Sequence, residues 1–121
     1  MVTLSEKILG AQAGTYVDRK VDKAFCHDGT GIQAKIIYDA IGAPGLANPD
    51  AVYVIYDHIA PANNSQTAEL QAELRTFAEK NGAHFREIGS GICHQVMAEG
   101  LVHPGEVVIG ADSHSCTLGA L

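Results

Sequence analysis

Two apolar runs of strand-forming residues constrain the fold of this chain more than any other feature. The runs AVYVIY (51–56) and EVVIGA (106–111) are rich in β-branched and aromatic residues and lack polar alternation. This pattern predicts strands buried on both faces, as in parallel sheets covered by helices on each side. AHFREI (83–88) is predicted as a shorter strand, and TYVDRKV (15–21) alternates enough to be a further one.

Predicted helices separate these strands, at 3–14, 32–42, 67–82 and, more briefly, 92–100. Thr3 and Glu6 have the spacing of a capping box, and Gly82 stands where the third helix should end. The second helix has an apolar face made of isoleucines and an alanine: Ile32, Ile36, Ile37, Ala40 and Ile41. The alternation predicts an α/β fold, a three-layer sandwich with a mostly parallel sheet, in a single domain over 1–121.

Composition excludes several classes of function. The net charge of −6 argues against a nucleic-acid partner, and no apolar run approaches the roughly 20 residues of a membrane span. The N-terminus lacks the basic and apolar regions of a signal peptide, so a cytoplasmic location is expected. The cysteines are Cys26, Cys93 and Cys116, and their wide spacing has no zinc or iron–sulfur ligand signature.

Acid and imidazole side chains follow the predicted strands. His27-Asp28 lies in the glycine-containing loop FCHDGTG, Asp57-His58 follows AVYVIY, Asp112-Ser113-His114 follows EVVIGA, and His94 opens the short helix after GSG. Ligands of open parallel sheets bind beyond the carboxyl ends of the strands, so these groups are expected to face one cleft. Paired histidines and carboxylates suit acid–base chemistry on a polar, anionic substrate. Taken singly, an Asp-His pair after a strand is more often a cap or a turn than a catalyst, and His94 could be a hydrogen-bonded core histidine.

Four segments then identify a specific resemblance. HDGTG, DHIAPANN, GSGICHQV and PGEVVIGADSHSCTLGAL occur in the order and spacing of the aconitase family, in its branch of 3-isopropylmalate dehydratase and homoaconitase large subunits. The resemblance runs over nearly the whole chain. It implies that the chain is the N-terminal part of an aconitase-type domain. It also implies a hydro-lyase that isomerises a hydroxy-acid by dehydration and rehydration, with 3-isopropylmalate dehydratase the main expectation and homoaconitase the alternative.

The resemblance also implies roles for individual residues. Asp57 and His58 match a pair that helps to protonate the leaving hydroxyl, and His94 matches a histidine that pairs with Asp112. His114 completes the expected catalytic set. The expected substrate-binding residues are Ser113, His27, Asp28 and Thr30.

The family uses a [4Fe–4S] cluster whose open iron binds substrate. Its cysteine ligands lie in a Gly-Ser-Cys-Thr-Asn stretch and a Cys-x-x-Cys pair, and neither occurs here. The chain is therefore expected to contain no metal ligands and to be inactive alone. Expected partners are a separate small subunit, the remainder of the large subunit and a small hydroxy-dicarboxylic or tricarboxylic acid.

Two readings from other functional classes stay open beside the hydro-lyase. The chain could be a non-catalytic α/β module that binds a partner subunit or a small carboxylic acid. It could also be an unrelated small α/β acid–base enzyme, complete in itself.

Overall fold

A computed structural model describes residues 2–121. Over this part of the chain, helices and strands alternate as α1 (Leu4–Leu9), β1 (Lys23–His27), α2 (Asp28–Ala40), β2 (Val52–Ile55), α3 (Ser65–Asn81), β3 (His84–Arg86), α4 (Cys93–Ala98) and β4 (Val108–Gly110). Short 3₁₀ helices occupy Pro49–Ala51 and Ser115–Ala120. The strands form one parallel sheet in the order β3-β2-β1-β4.

The sheet is covered on both faces, which confirms the α/β sandwich. On one face Val54 and Tyr56 pack with Leu74 and Ala78 of α3, and side chains of α2 complete this layer. On the other face, side chains of β1 and β2 pack with α4 and with the 3₁₀ helix Ser115–Ala120. The alternation of β2 side chains between the two clusters explains its unbroken apolar sequence.

The helix ends follow their capping signals. Thr3 and Glu6 form the predicted capping box of α1, although that helix stops at the left-handed Gly10 and not at Gly14. Asn64 caps α3, and Gly82, with a φ of 71°, ends it as predicted.

The prediction for the first strand is wrong. Residues 15–21 have no strand structure. β1 is Lys23–His27 and so includes residues 25–27, the start of the segment FCHDGTG that was predicted as a loop. The glycines lie in α2, whose N-terminus is capped by the His27 side chain. At Gly31 a Cβ would lie 2.8 Å from Leu74 Cδ2 and 2.9 Å from Cys26 Sγ. Gly31 therefore lets α2 approach α3 and the sheet closely.

Two burial predictions are also wrong. β4 is a strand of the sheet but lies at its edge, where the Ile109 side chain is 55% exposed. Ile36 and Ile37 in α2, and Ile41 at its C-cap, are exposed. The close contact at Gly31 turns a different face of α2 inward, and the isoleucine-rich face is left outside.

The strand order fixes the location of the site. The chain moves from β1 outward to β2 and β3, then returns through α4 to place β4 on the other side of β1. This reversal is the topological switch point at which open α/β sheets bind ligands, beyond the carboxyl ends of the strands.

Candidate functional site

The polar segments that follow β1, β2 and β4 meet at the carboxyl edge of the sheet, as predicted. Asp112 is the centre of the arrangement. Its Oδ1 lies 2.7 Å from His94 Nε2 and 3.4 Å from His114 Nδ1, and its Oδ2 lies 3.4 Å from His58 Nε2 and 3.7 Å from His27 Nε2. Four imidazoles thus surround one carboxylate, which we call the Asp112 cluster.

Asp57 and His58 form the first pair of this cluster. His58 Nδ1 lies 2.7 Å from Asp57 Oδ1, and the other oxygen of Asp57 accepts a 2.6 Å hydrogen bond from the Cys93 backbone N–H. The hydrogen bond to Asp57 raises the pKa of His58 above its ordinary value. Burial acts to raise the pKa of Asp57, but the hydrogen bonds from Cys93 and His58 outweigh it and lower that pKa. The pair can therefore hold a proton near neutral pH and present it on an exposed imidazole edge.

His94 and Asp112 form the second pair. The His114 backbone N–H donates a 2.7 Å hydrogen bond to Asp112 Oδ1, the same oxygen that contacts His94. These hydrogen bonds, that of His114 first, lower the pKa of Asp112 to about 2. Asp112 is thus an ionised carboxylate that can orient the surrounding imidazoles.

His27 is the buried member of the cluster. Its Nδ1 accepts a 3.1 Å hydrogen bond from the Gly29 N–H, and its ring stacks on that of His58 with centroids 3.6 Å apart. Burial, and then the neighbouring His58, lower the pKa of His27. The His27 ring, with its lowered pKa, is therefore stacked against the His58 ring, whose pKa is raised.

The remaining predicted residues have different surroundings. His114 and Ser113 lie on the open side, and the His114 side chain is 78% exposed. Thr30 Oγ1 accepts a hydrogen bond from the His27 N–H and so completes a helix cap. Asp28 is fully buried. Asp28 is thus closed off from the open side of the cluster, where we expected it to contact substrate, whereas Thr30 is half-buried.

Gln71 is a site residue that the sequence analysis missed. It lies on α3 with 4% exposure, and its Nε2 donates to Asp28 Oδ2 and to the Ile59 carbonyl. A glutamine among glutamates on an amphipathic helix is typical of a solvated face, so its sequence context conceals this role. The inward position relative to Leu74 and Ala78 was the one available signal.

The two histidines not predicted at the site do lie elsewhere. His84 stacks on Tyr53, and His103 lies 3.7 Å from Glu106.

The cysteines do not fit a [4Fe–4S] cluster, which needs several thiolates converging on one point. Cys26 packs on the α2 and α3 face of the sheet, Cys93 lies in the core on the opposite face, and Cys116 is exposed. Burial raises the pKa of both Cys26 and Cys93 to about 12, so neither is a ready thiolate. Two donor sets have ligand atoms within 4.8 Å of one another: His27, Asp28, Asp57 and His58, and His94, Asp112 and His114.

Comparison of the sequence with known proteins identifies the family. The sequence pattern of the aconitase family (aconitate hydratase) matches residues 3–121. The chain belongs to the aconitase family. Within residues 2–121, no helix has both the length and the apolar character needed to cross a bilayer.

The chain is similar to large subunits of two kinds of enzyme within the family. The chain is 42% identical over 125 residues to the 3-isopropylmalate dehydratase large subunit of Elusimicrobium minutum, covering 98% of this chain and 30% of the relative. It is 42% identical over 121 residues to that of Pyrococcus horikoshii, covering 99% and 31%. It is 46% identical over 102 residues to a probable methanogen homoaconitase large subunit of Methanosarcina mazei, covering 83% and 26%. The chain therefore spans less than a third of the length of these relatives.

Proposed function

We propose that this chain supplies proton-transfer groups to a hydro-lyase that isomerises a small hydroxy-acid, with 3-isopropylmalate as the first candidate substrate. The main support for this proposal is the Asp112 cluster, in which four imidazoles surround one carboxylate. The cluster lies at the edge of a parallel sheet where ligands bind, in a member of the aconitase family. The names of the relatives favour a dehydratase acting on 3-isopropylmalate, and homoaconitase is the alternative.

In this proposal His58 delivers the proton that the departing hydroxyl needs. During dehydration a carbon–oxygen bond breaks, and the hydroxyl takes a proton from His58 and leaves as water. A general base, which we do not assign to this chain, takes the proton of a neighbouring C–H bond, and the electrons of that bond form the alkene. His58 is suited to the delivery because its pKa is raised and its side chain is open to solvent, 40% exposed. Asp57 holds the ring in place through its hydrogen bond with His58 Nδ1. In the reverse, hydrating direction neutral His58 takes the proton back from the attacking water.

The second pair orients groups around the first. His94 is fixed between Asp112 and the edge of the Phe25 ring, 6.0 Å between ring centroids. His114 and Ser113 border the same open side and are proposed to contact the substrate. His27, stacked on His58, closes the opposite side of the cluster.

The cofactor and partners of the proposed enzyme lie outside this chain. Because its cysteines do not converge, we propose that any [4Fe–4S] cluster is held by cysteines of other segments, and we assign no step to it here. The relatives are large subunits, which favours a separate small subunit as a partner. The cytoplasmic location stays a prediction, as does the assignment of 1–121 to a single partial domain.

A segment exchange tests the proposal. Residues 3–121 would replace the matching segment of the Elusimicrobium minutum large subunit. Conversion of 3-isopropylmalate and of homocitrate would then be followed by the absorbance of the alkene. We expect turnover of one substrate, and a loss of roughly 10²–10⁴-fold in kcat with a smaller change in KM for His58→Ala and for His94→Ala.

His103→Ala provides the matched control, because His103 is an exposed histidine outside the Asp112 cluster. It should leave kcat unchanged. Near-parental kcat for both His58→Ala and His94→Ala, in protein whose absorbance shows an intact [4Fe–4S] cluster, would show that the two histidines are structural. A hybrid that assembles with its small subunit and contains its [4Fe–4S] cluster, but turns over neither substrate, would favour the hypothesis that the chain is a non-catalytic module. Turnover by the isolated chain would favour the small enzyme complete in itself.

A further inference from the structure

Asp28 is the most completely enclosed polar group next to the Asp112 cluster. Its carboxyl group is fully buried, with 0% exposure of the residue. Oδ1 accepts hydrogen bonds from the backbone N–H groups of Asp57 (3.3 Å) and His58 (2.9 Å), and Oδ2 accepts one from the N–H of Ile59 (2.6 Å). Three successive backbone donors therefore point at one side chain 29 to 31 residues away in sequence.

Gln71 completes the surroundings of Asp28 from the other side. Its Nε2 donates to Asp28 Oδ2 at 3.2 Å and to the Ile59 carbonyl at 2.8 Å. The hydroxyl of the buried Tyr56 donates a hydrogen bond to the backbone carbonyl of Gln71 and so connects α3 to the end of β2. Every hydrogen bond to the Asp28 carboxyl group thus comes from an N–H donor, which is the pattern of an ionised carboxylate.

The segment held by these bonds carries the first pair of the site. Residues 57–59 belong to neither a helix nor a strand, so no backbone ladder fixes their donors. Asp28 takes over that function, since charge-assisted hydrogen bonds are roughly twice as strong as neutral ones. With the loop fixed, His58 Nδ1 lies 2.7 Å from Asp57 Oδ1, and His58 Nε2 faces Asp112.

We propose that Asp28 is a positioning residue: its buried carboxylate, supported by Gln71, holds the 57–59 loop and so sets the geometry of the Asp57–His58 pair. A direct role in binding substrate does not fit, because no part of Asp28 is exposed and both oxygens already accept hydrogen bonds. The inference deepens the proposed function. Its test measures the loop itself, however, so it can succeed or fail independently of turnover.

Asp28→Asn in the 121-residue chain is the primary test. The amide keeps the size of the carboxyl group but replaces one acceptor by an NH₂ group that faces the backbone N–H donors. We expect the hydrogen-exchange protection of the 57–59 amides to fall at least about tenfold relative to amides of β1 and β2, the effect of losing a charged hydrogen-bond acceptor. Native-state exchange followed by NMR measures this ratio within each sample.

The imidazole ¹⁵N shifts of His58 give a second readout that general destabilisation does not produce. The hydrogen bond to Asp57 favours the tautomer of neutral His58 with its proton on Nδ1. We expect that signature in the parent chain at high pH and a shift toward the Nε2–H tautomer in Asp28→Asn.

Leu74→Ala is the matched control, since Leu74 is buried on the same helix as Gln71 but has an apolar side chain that makes no hydrogen bond to the polar groups. It should lower protection throughout the sheet and leave the His58 tautomer unchanged. If Asp28→Asn does not fold, Gln71→Met removes one donor to Asp28 and should cause a smaller, local loss at the 57–59 amides. Unchanged 57–59 protection and an unchanged tautomer in whichever variant folds, or equal changes in Leu74→Ala, would overturn the proposal.

Discussion

Gly110, the last residue of β4, is closely surrounded by other side chains. The substitution Gly110→Ala therefore tests how tightly the segment that leads to Asp112 packs on the sheet. A Cβ at this position would lie 2.5 Å from Phe25 Cζ, and still closer to Phe25 Cε1 and Ser115 Oγ. Real Cβ atoms do not approach other atoms so closely, so something must move.

The two neighbours differ in their freedom to move. Ser115 Oγ donates a 2.8 Å hydrogen bond to the Asp112 carbonyl, and rotation of this side chain would sacrifice that bond. Phe25 is 3% exposed and packs against Tyr53, Cys93 and Met97 in the core, so its ring has no free space. Forcing an added methyl group into such a core costs about 1–3 kcal/mol. For 121 residues, that cost corresponds to a fall in melting temperature of roughly 4–12 °C.

Thermal and urea unfolding followed by circular dichroism would measure this cost, with Gly119→Ala as the control. A Cβ at Gly119 meets nothing within 4 Å, so the same chemical change there should be neutral or slightly stabilising. The displaced Phe25 ring also lies edge-on to His94, so the His94 ring resonances should shift in Gly110→Ala alone. Equal melting temperatures for the two variants would refute the packing argument.

Two further predictions concern titration and thiol reactivity. Asp57→Asn should lower the pKa of His58 toward its ordinary value in an NMR titration, because the hydrogen bond to Asp57 is the largest cause of its elevation; an unchanged His58 pKa would contradict the pairing. A disulfide reagent at pH 8 should modify the exposed Cys116 rapidly and should modify Cys26 and Cys93 only on unfolding. The reason is that burial raises the pKa of the Cys26 and Cys93 thiols to about 12. Rapid reaction of all three thiols in the folded chain would contradict this prediction.

Much of the sheet could be predicted because its signal is local. The β2 run is apolar at every position because its side chains enter both cores, and α3 carries a cap, a stripe and a terminal glycine. The β4 run has the same local pattern, yet Ile109 is exposed at the sheet edge. Strand order depends on which segments pair, and composition within a run does not encode that.

β1 could not be placed for a different reason. Its first residues, Lys23 and Ala24, have weak strand preference, and the glycines after His27 are typical of loops. Gly31 is needed for close packing against Leu74, a contact between segments 43 positions apart in sequence. A purely local pattern cannot separate that use of glycine from a turn.

The same limit explains why the members of the site were predicted better than their connections. A strand end followed by an acid and an imidazole is a local signal, so Asp57-His58 and Asp112-His114 could be located in advance. Their arrangement was expected as two independent pairs. In the structure the pairs share Asp112, whose Oδ1 contacts His94 and whose Oδ2 faces His58. The two imidazoles therefore depend on one common carboxylate for their positions. It follows that His58→Ala and His94→Ala should be non-additive in the segment-exchange enzyme, with the double variant losing less than the product of the single losses.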